Sequence, residues 1–219
     1  MIRKNFVLLL AAGLAMIFAA GCSNRTDSET VALSPEDSLL TARIQEYVSV
    51  KLTTDLTKLT EKEKEMIPLL IEVAGIVDSL YWEQTIGEKN LFLDTITNPL
   101  ARQFAVINYG PWERLNNNKP FLAGIGEKPL GANFYPHDMT KEEFEKWDNP
   151  DKTSQYTLIR RNQDGSLKAD WYHDAYAPKI TRAAELLKKA SGLAEDPGLK
   201  KYLELRAGAF LTDDYLASD

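Results

Sequence analysis

The 219 residues are 44% hydrophobic and 26% charged, an ordinary globular balance that excludes intrinsic disorder as the class. With 26 basic against 32 acidic residues the formal net charge is −6, and no run of Lys or Arg stands out. That excludes a nucleic-acid-binding role, which needs a clustered basic face to neutralise phosphates.

Residues 1–21 have the three parts of an export signal. Arg3 and Lys4 precede an apolar run from Phe6 to Phe18, and Ala19, Ala20 and Gly21 lead into Cys22. The run is shorter than the roughly 20 apolar residues that span a bilayer, so cleavage is expected rather than a spanning helix. Ala19-Ala20-Gly21-Cys22 is similar to a bacterial lipobox, and Cys22 is the only cysteine, which leaves it no disulfide partner within the chain. These features predict lipid attachment at Cys22 and a bacterial cell-envelope location, with each buried acyl CH₂ contributing about 0.8 kcal/mol to membrane binding. Residues 22–33 are polar and aperiodic, as a flexible tether would be.

Residues 34–219 read as one mostly helical region. Ser34-Pro35-Glu36-Asp37 carries a cap, a first-turn proline and an acid at the positive helix end. Leu40, Ile44, Tyr47 and Val48 then recur at helical spacing. Thr60 and Glu63 form a capping box that opens the strongest helix, whose apolar stripe runs from Met66 to Tyr81. Pro68 should kink that helix or delay its regular start, and Gly87 should stop it. Asn98-Pro99 starts a short helix through Phe104 and Ile107. Thr140 and Glu143 suggest a second capping box, with Phe144 and Trp147 turned inward.

Tyr156–Arg161 and Leu167–Tyr172 flank Asn162-Gln163-Asp164-Gly165 and form one hairpin. Pro178–Ala190 reads as a helix closed by Gly192, and Asp196-Pro197 opens another carrying Leu199, Leu203 and Phe210. The fold class is mainly α with a small β-hairpin (α+β).

Between Phe104 and Trp147 the sequence concentrates eight aromatic residues with four prolines and four glycines. Turn formers fix the backbone while large rings require burial, so this stretch is expected to be an ordered loop with Trp112, Phe121 and Phe134 inside. Arg114 is its most suggestive charge, because a guanidinium can clamp a peptide carboxylate bidentately. The competing reading is an ion pair within the loop. Tyr109 and Trp112 accompany Arg114 as candidate substrate-binding residues.

No catalytic constellation is evident. A catalytic zinc takes three protein ligands and a water, whereas the only histidines, His137 and His173, stand far apart, each followed by Asp. They are expected as surface or loop residues. There is no GxSxG elbow, Gly124-Ile125-Gly126 reads as a turn, and the acid pairs Glu142-Glu143 and Asp213-Asp214 are expected at helix ends facing water. The chain itself therefore calls for no metal and no cofactor.

Asn108-Tyr109-Gly110-Pro111-Trp112-Glu113-Arg114, followed by Lys128-Pro129, Gly131-Ala132-Asn133-Phe134-Tyr135-Pro136 and Asp138-Met139, resembles the amino-terminal part of dipeptidyl-peptidase III-like zinc metallopeptidases of the bacterial and plant branch. The resemblance runs from about Tyr47 to Asp219. It implies an incomplete lobe of a two-lobed peptidase fold, with zinc, an HExxGH-type motif and the rest of the cleft supplied by a catalytic half following Asp219. The stretch Leu211–Asp219 looks like the middle of that family's chain. The full-length family releases dipeptides from peptide amino termini, but this chain alone is expected to be non-catalytic. The alternative is a free-standing, non-enzymatic envelope lipoprotein that binds a peptide or protein partner.

Overall fold

The computed structural model describes residues 33–219; the signal 1–21, Cys22 and the tether as far as Ala32 lie outside the described residues. Among the described residues eight α-helices and two small antiparallel sheets follow in order: α1 (Pro35–Gln45), α2 (Glu61–Thr85), α3 (Lys89–Asp94), α4 (Pro99–Asn108), β1 (Trp112–Glu113), β2 (Lys119–Pro120), α5 (Lys141–Lys146), β3 (Thr157–Arg161), β4 (Leu167–Trp171), α6 (Tyr172–Ala175), α7 (Ala177–Leu193) and α8 (Pro197–Thr212). The expected α+β class holds. Among the described residues no helix is long and apolar enough to cross a membrane.

Helix α2 is the spine. Its 25 residues span roughly 37 Å at 1.5 Å per residue, and successive turns of its apolar stripe serve three clusters. Met66 and Val73 pack with Ala183, Ala184, Leu187 and Ala190 of α7 and with Leu203 and Ala207 of α8. The alanines on α7 and α8 offer little bulk, which lets the backbones approach closely. Leu80 packs with Leu158 of β3 and with Tyr176 and Ile180. Trp82, at the carboxyl end, joins Leu40 of α1, Leu93 of α3, Ile96, and Ala101, Phe104 and Ala105 of α4.

Local chemistry explains the helix starts. Ser34 Oγ accepts from Asp37 N at 3.0 Å, Asn98 Oδ1 accepts from the Leu100 and Ala101 amides, and Asp196 caps α8 through Leu199 N at 2.7 Å. Thr60 and Glu63 close the full capping box, and α2 runs without interruption through Pro68, so the proline does not delay the start. The hairpin forms as expected: Leu158 pairs with Asp170 and Arg160 with Lys168, and Gly165 takes φ +87° in the turn.

Several expectations change. Helix α1 ends at Gln45, so Val48 leaves the helical face and is 83% exposed. Gly192 lies inside α7, which continues to Leu193; without a left-handed turn there, glycine does not terminate the helix. At α5, Thr140 Oγ1 still accepts from Glu143 N at 3.1 Å, but the Glu143 carboxylate turns to Arg161 with bonds of 2.7 and 2.9 Å. A bidentate guanidinium outcompetes the return bond to the cap, and it holds the Glu143 carboxyl below its ordinary range. Arg161 also reaches Asp138 at 2.8 Å, so one side chain ties the hairpin to the segment before α5. The ammonium of Lys152 closes that segment by donating to the Phe144, Glu145 and Trp147 carbonyls.

Candidate functional site

The aromatic loop begins with an unusual helix end. The Gly110 amide donates to Ala105 O at 3.0 Å and the Tyr109 amide to Val106 O, the bonding of a Schellman motif with its left-handed position at Tyr109. Tyr109 has φ +55°, a conformation that costs a non-glycine residue roughly 1–2 kcal/mol. Its ring offsets this. It packs 4.9 Å from Tyr81 and 5.2 Å from Trp82, and its hydroxyl donates to Asp78 Oδ1 at 2.7 Å. That bond lowers the Asp78 pKa and raises that of Tyr109. Lys89 pairs with the same carboxylate at 3.2 Å.

Beyond Gly110 the chain enters β1. Trp112 is buried, with its indole N–H donating to Gly126 O at 3.0 Å, so the Gly124–Gly126 turn serves as an anchor for the ring. Glu113 is buried too, and it pairs with Arg43 of α1 at 2.9 Å. Asn108 fixes the corner: its Oδ1 accepts from the Arg114 amide at 3.0 Å and its Nδ2 donates to Phe104 O at 3.0 Å. Phe121 and Phe134 are only half-buried, a correction to the expectation that they sit inside. Phe121 meets Phe104 edge-on at 4.7 Å while the loop backbone around it stays at the surface.

Arg114 does not pair with its neighbour Glu113, which Arg43 occupies. It is exposed, donates to the Tyr81 hydroxyl, and lies over the rings of Tyr81 and Tyr109 at 5.7 and 5.8 Å from their centroids. Lys128 lies 5.9 Å over Trp112. Among the described residues neither cation has a carboxylate within salt-bridge distance. Burial, and then the charge of Arg114, hold the Lys128 pKa below its ordinary value. A cleft of about 710 Å³ adjoins Lys128, lined also by Phe134, Asn117, Asn118, Lys119 and the carboxylate of Glu127, which makes no ion pair with Lys128. Two uncompensated cations on aromatic faces suit a carboxylate or another oxyanion. The structure thus gathers Tyr109, Trp112 and Arg114 and adds Tyr81, Asp78 and Lys128, none of which carries a local motif. Lys128 stands in the Lys128-Pro129 block of the aromatic stretch, but nothing local marks it as a site residue; Tyr81 and Asp78 read only as positions along α2.

The histidines behave differently from each other. His137 is exposed. His173 is half-buried in α6, where its amide and Nδ1 both contact Asp213 Oδ2, at 3.0 and 2.7 Å. Asp213 was expected to face water, yet its side chain is 0% exposed. The left-handed turn that ends α8 at Asp213 directs the carboxylate back beneath α6. Glu143, likewise expected in water, is half-buried against Arg161. Among the described residues no group of three or more His, Cys, Asp or Glu could hold a metal ion, so these residues do not fit a zinc site.

Known structures share this fold. The chain superposes on dipeptidyl-peptidase III from Caldithrix abyssi with a TM-score of 0.76 and 40% identity, covering 82% of this chain and 36% of that one. Its fold is dipeptidyl-peptidase III-like. Dipeptidyl-peptidase III from Corallococcus sp. strain EGB matches this dipeptidyl-peptidase III-like chain at 32% identity, also with a TM-score of 0.76, over 84% of it and 37% of the other. Nudix hydrolase 3 of Arabidopsis thaliana is 26% identical over an alignment covering 90% of the chain and 33% of the plant protein. The dipeptidyl-peptidase III-like chain thus spans about a third of the length of each of these relatives. No protein-family model matches it.

Proposed function

We propose that this chain is the amino-terminal part of a zinc-dependent dipeptidyl peptidase, supplying a scaffold and a peptide-carboxylate contact while residues outside it supply the metal and the general base. The reading is supported by 40% identity at a TM-score of 0.76 to a dipeptidyl-peptidase III of which the chain spans only 36%. Arg114 and Lys128 are the groups of this chain that would meet an anionic peptide terminus, and Tyr81, Tyr109 and Trp112 hold their stems in place. The purified chain, residues 23–219, is expected to contain no stoichiometric zinc by elemental analysis and to release no dipeptide from an unblocked oligopeptide. It should still bind that oligopeptide in preference to its carboxyl-terminal amide. Arg114→Gln should weaken binding roughly tenfold or more, the scale of one charge-assisted hydrogen bond. Stoichiometric zinc with chelator-sensitive cleavage would overturn the division of labour, and equal binding of acid and amide would overturn the carboxylate contact.

We also propose that lipid on Cys22 holds the protein at the cell envelope, supported by the short apolar run and the small residues ahead of the single cysteine. Cys22→Ala should move the protein from the membrane fraction to the soluble one. A mature amino terminus found elsewhere by mass spectrometry, without lipid, would end this proposal.

A further inference from the structure

A second cavity, separate from the Lys128 cleft, opens between α2, α7 and α8. Its volume is about 180 Å³. Leu80 and Ile180, both buried, form its floor together with Phe210. Tyr172, Tyr176 and Tyr215 form its wall, and none of its lining side chains is charged. The wall is stiff because its rings brace one another and a further ring behind them. Tyr172 and Tyr176 lie 5.7 Å apart, Phe210 and Tyr215 6.0 Å, and Tyr156 stacks on Tyr215 at 5.0 Å.

We infer that this cavity is a binding site for one neutral aromatic ring of phenol size. Size is the first argument. An apolar cavity of about 150 Å³ stays dry and takes up benzene, so 180 Å³ accommodates a six-membered ring with one substituent. Lining chemistry is the second argument. Aliphatic groups below and aromatic edges and faces around favour the offset or edge-on ring contacts that contribute beyond area burial. The absence of a charged side chain in the lining removes any gain for an ionic ligand, which would instead lose its hydration. The wall is also polar at its hydroxyls. Burial pushes the Tyr172 and Tyr215 hydroxyls up to about 12, so both remain neutral and can donate to a hydroxyl or carbonyl on the ring. Gln84, also in the lining, already hydrogen-bonds Tyr176, and its amide has further donor and acceptor capacity beyond that one bond. The ligand class is therefore a free phenol-like molecule or the aromatic side chain of a peptide. The inference does not depend on the peptidase reading: the cavity is a different one, although Tyr81, which meets Arg114 through its hydroxyl, also lines it.

The test is a titration of the unmodified 219-residue chain with p-cresol, followed by NMR. Saturable shifts are expected at Ile76, Leu80 and Ile180, with a dissociation constant on the order of 1 mM, as suits so few heavy atoms. N-acetyltyrosinamide separates the sources: it should bind as well as p-cresol if the ring comes from a peptide, and not at all if the site admits only a free ring. Val77 lies at the rim and is 45% exposed, so Val77→Trp can occlude the mouth without disturbing the core. It should weaken p-cresol at least tenfold, whereas Val77→Ala should bind as the parent does. Absence of saturation in the unmodified chain, equal affinity in Val77→Trp, or tighter binding of tetramethylammonium than of p-cresol would each overturn the inference.

Discussion

Trp112→Ala should destabilise the fold by about 3–5 kcal/mol, the range for removing a buried Trp or Phe side chain. The indole is 6% exposed and does two jobs. It fills the space between the end of α4 and the loop, and its N–H holds the Gly126 carbonyl at 3.0 Å, so truncation leaves both a cavity and an unpaired acceptor. Chemical denaturation read by the midpoint and slope would measure the loss. Phe121→Ala and Phe134→Ala provide the comparison. Both rings are half-buried and keep contact with water in the native state, so each should cost less than half as much. If Trp112→Ala were no more disruptive than Phe121→Ala, the loop would not be ordered by that ring.

A comparable loss is expected from Arg43→Met, for a different reason. The Glu113 carboxylate is buried and receives Arg43 at 2.9 Å and the Asn116 amide at 3.1 Å on the same oxygen. Methionine keeps much of the apolar stem but removes the charge, stranding an anion away from water. Breaking a buried pair from one side costs about 3–5 kcal/mol, whereas replacing both partners with apolar groups is often neutral. Arg43→Met combined with Glu113→Leu should therefore recover most of the stability lost by Arg43→Met alone. A double-mutant cycle by denaturant unfolding measures this, and additive losses would show that the two side chains do not act as a pair. The pair also connects the fold to the site: Arg43 on α1 takes Glu113 away from Arg114, and so leaves Arg114 available on the rings of Tyr81 and Tyr109.

The dipeptidyl-peptidase III likeness was legible from the run Asn108 to Arg114 and from Lys128 to Met139, because both blocks are long and rich in residue types with strict backbone or packing demands. The reading of Arg114 as part of the site rested on its chemistry alone. What it touches depends on Tyr81, 33 residues earlier, and nothing near Arg114 in the chain indicates that partner. Lys128 was similarly hidden, since its meaning comes from lying over Trp112.

By itself the sequence determined the elements whose interactions close within a few residues. Ser34, Thr60, Asn98 and Asp196 cap helices through amides two or three positions ahead, and Asn162 to Gly165 turn the hairpin, because such bonds need only the local backbone geometry. Where the same chemistry had a distant competitor, local rules lost. Glu143 left its cap for Arg161, and Asp213, read as a solvated helix-end acid, became a buried acceptor for His173, 40 residues away. Only the tertiary structure decided these, along with the split between a buried Trp112 and half-buried Phe121 and Phe134. The physical reason is that burial and charge pairing depend on which faces α2 brings together. A residue's type and spacing specify what it can bond to, but the packed helices determine which partner arrives and whether water is still present when it does.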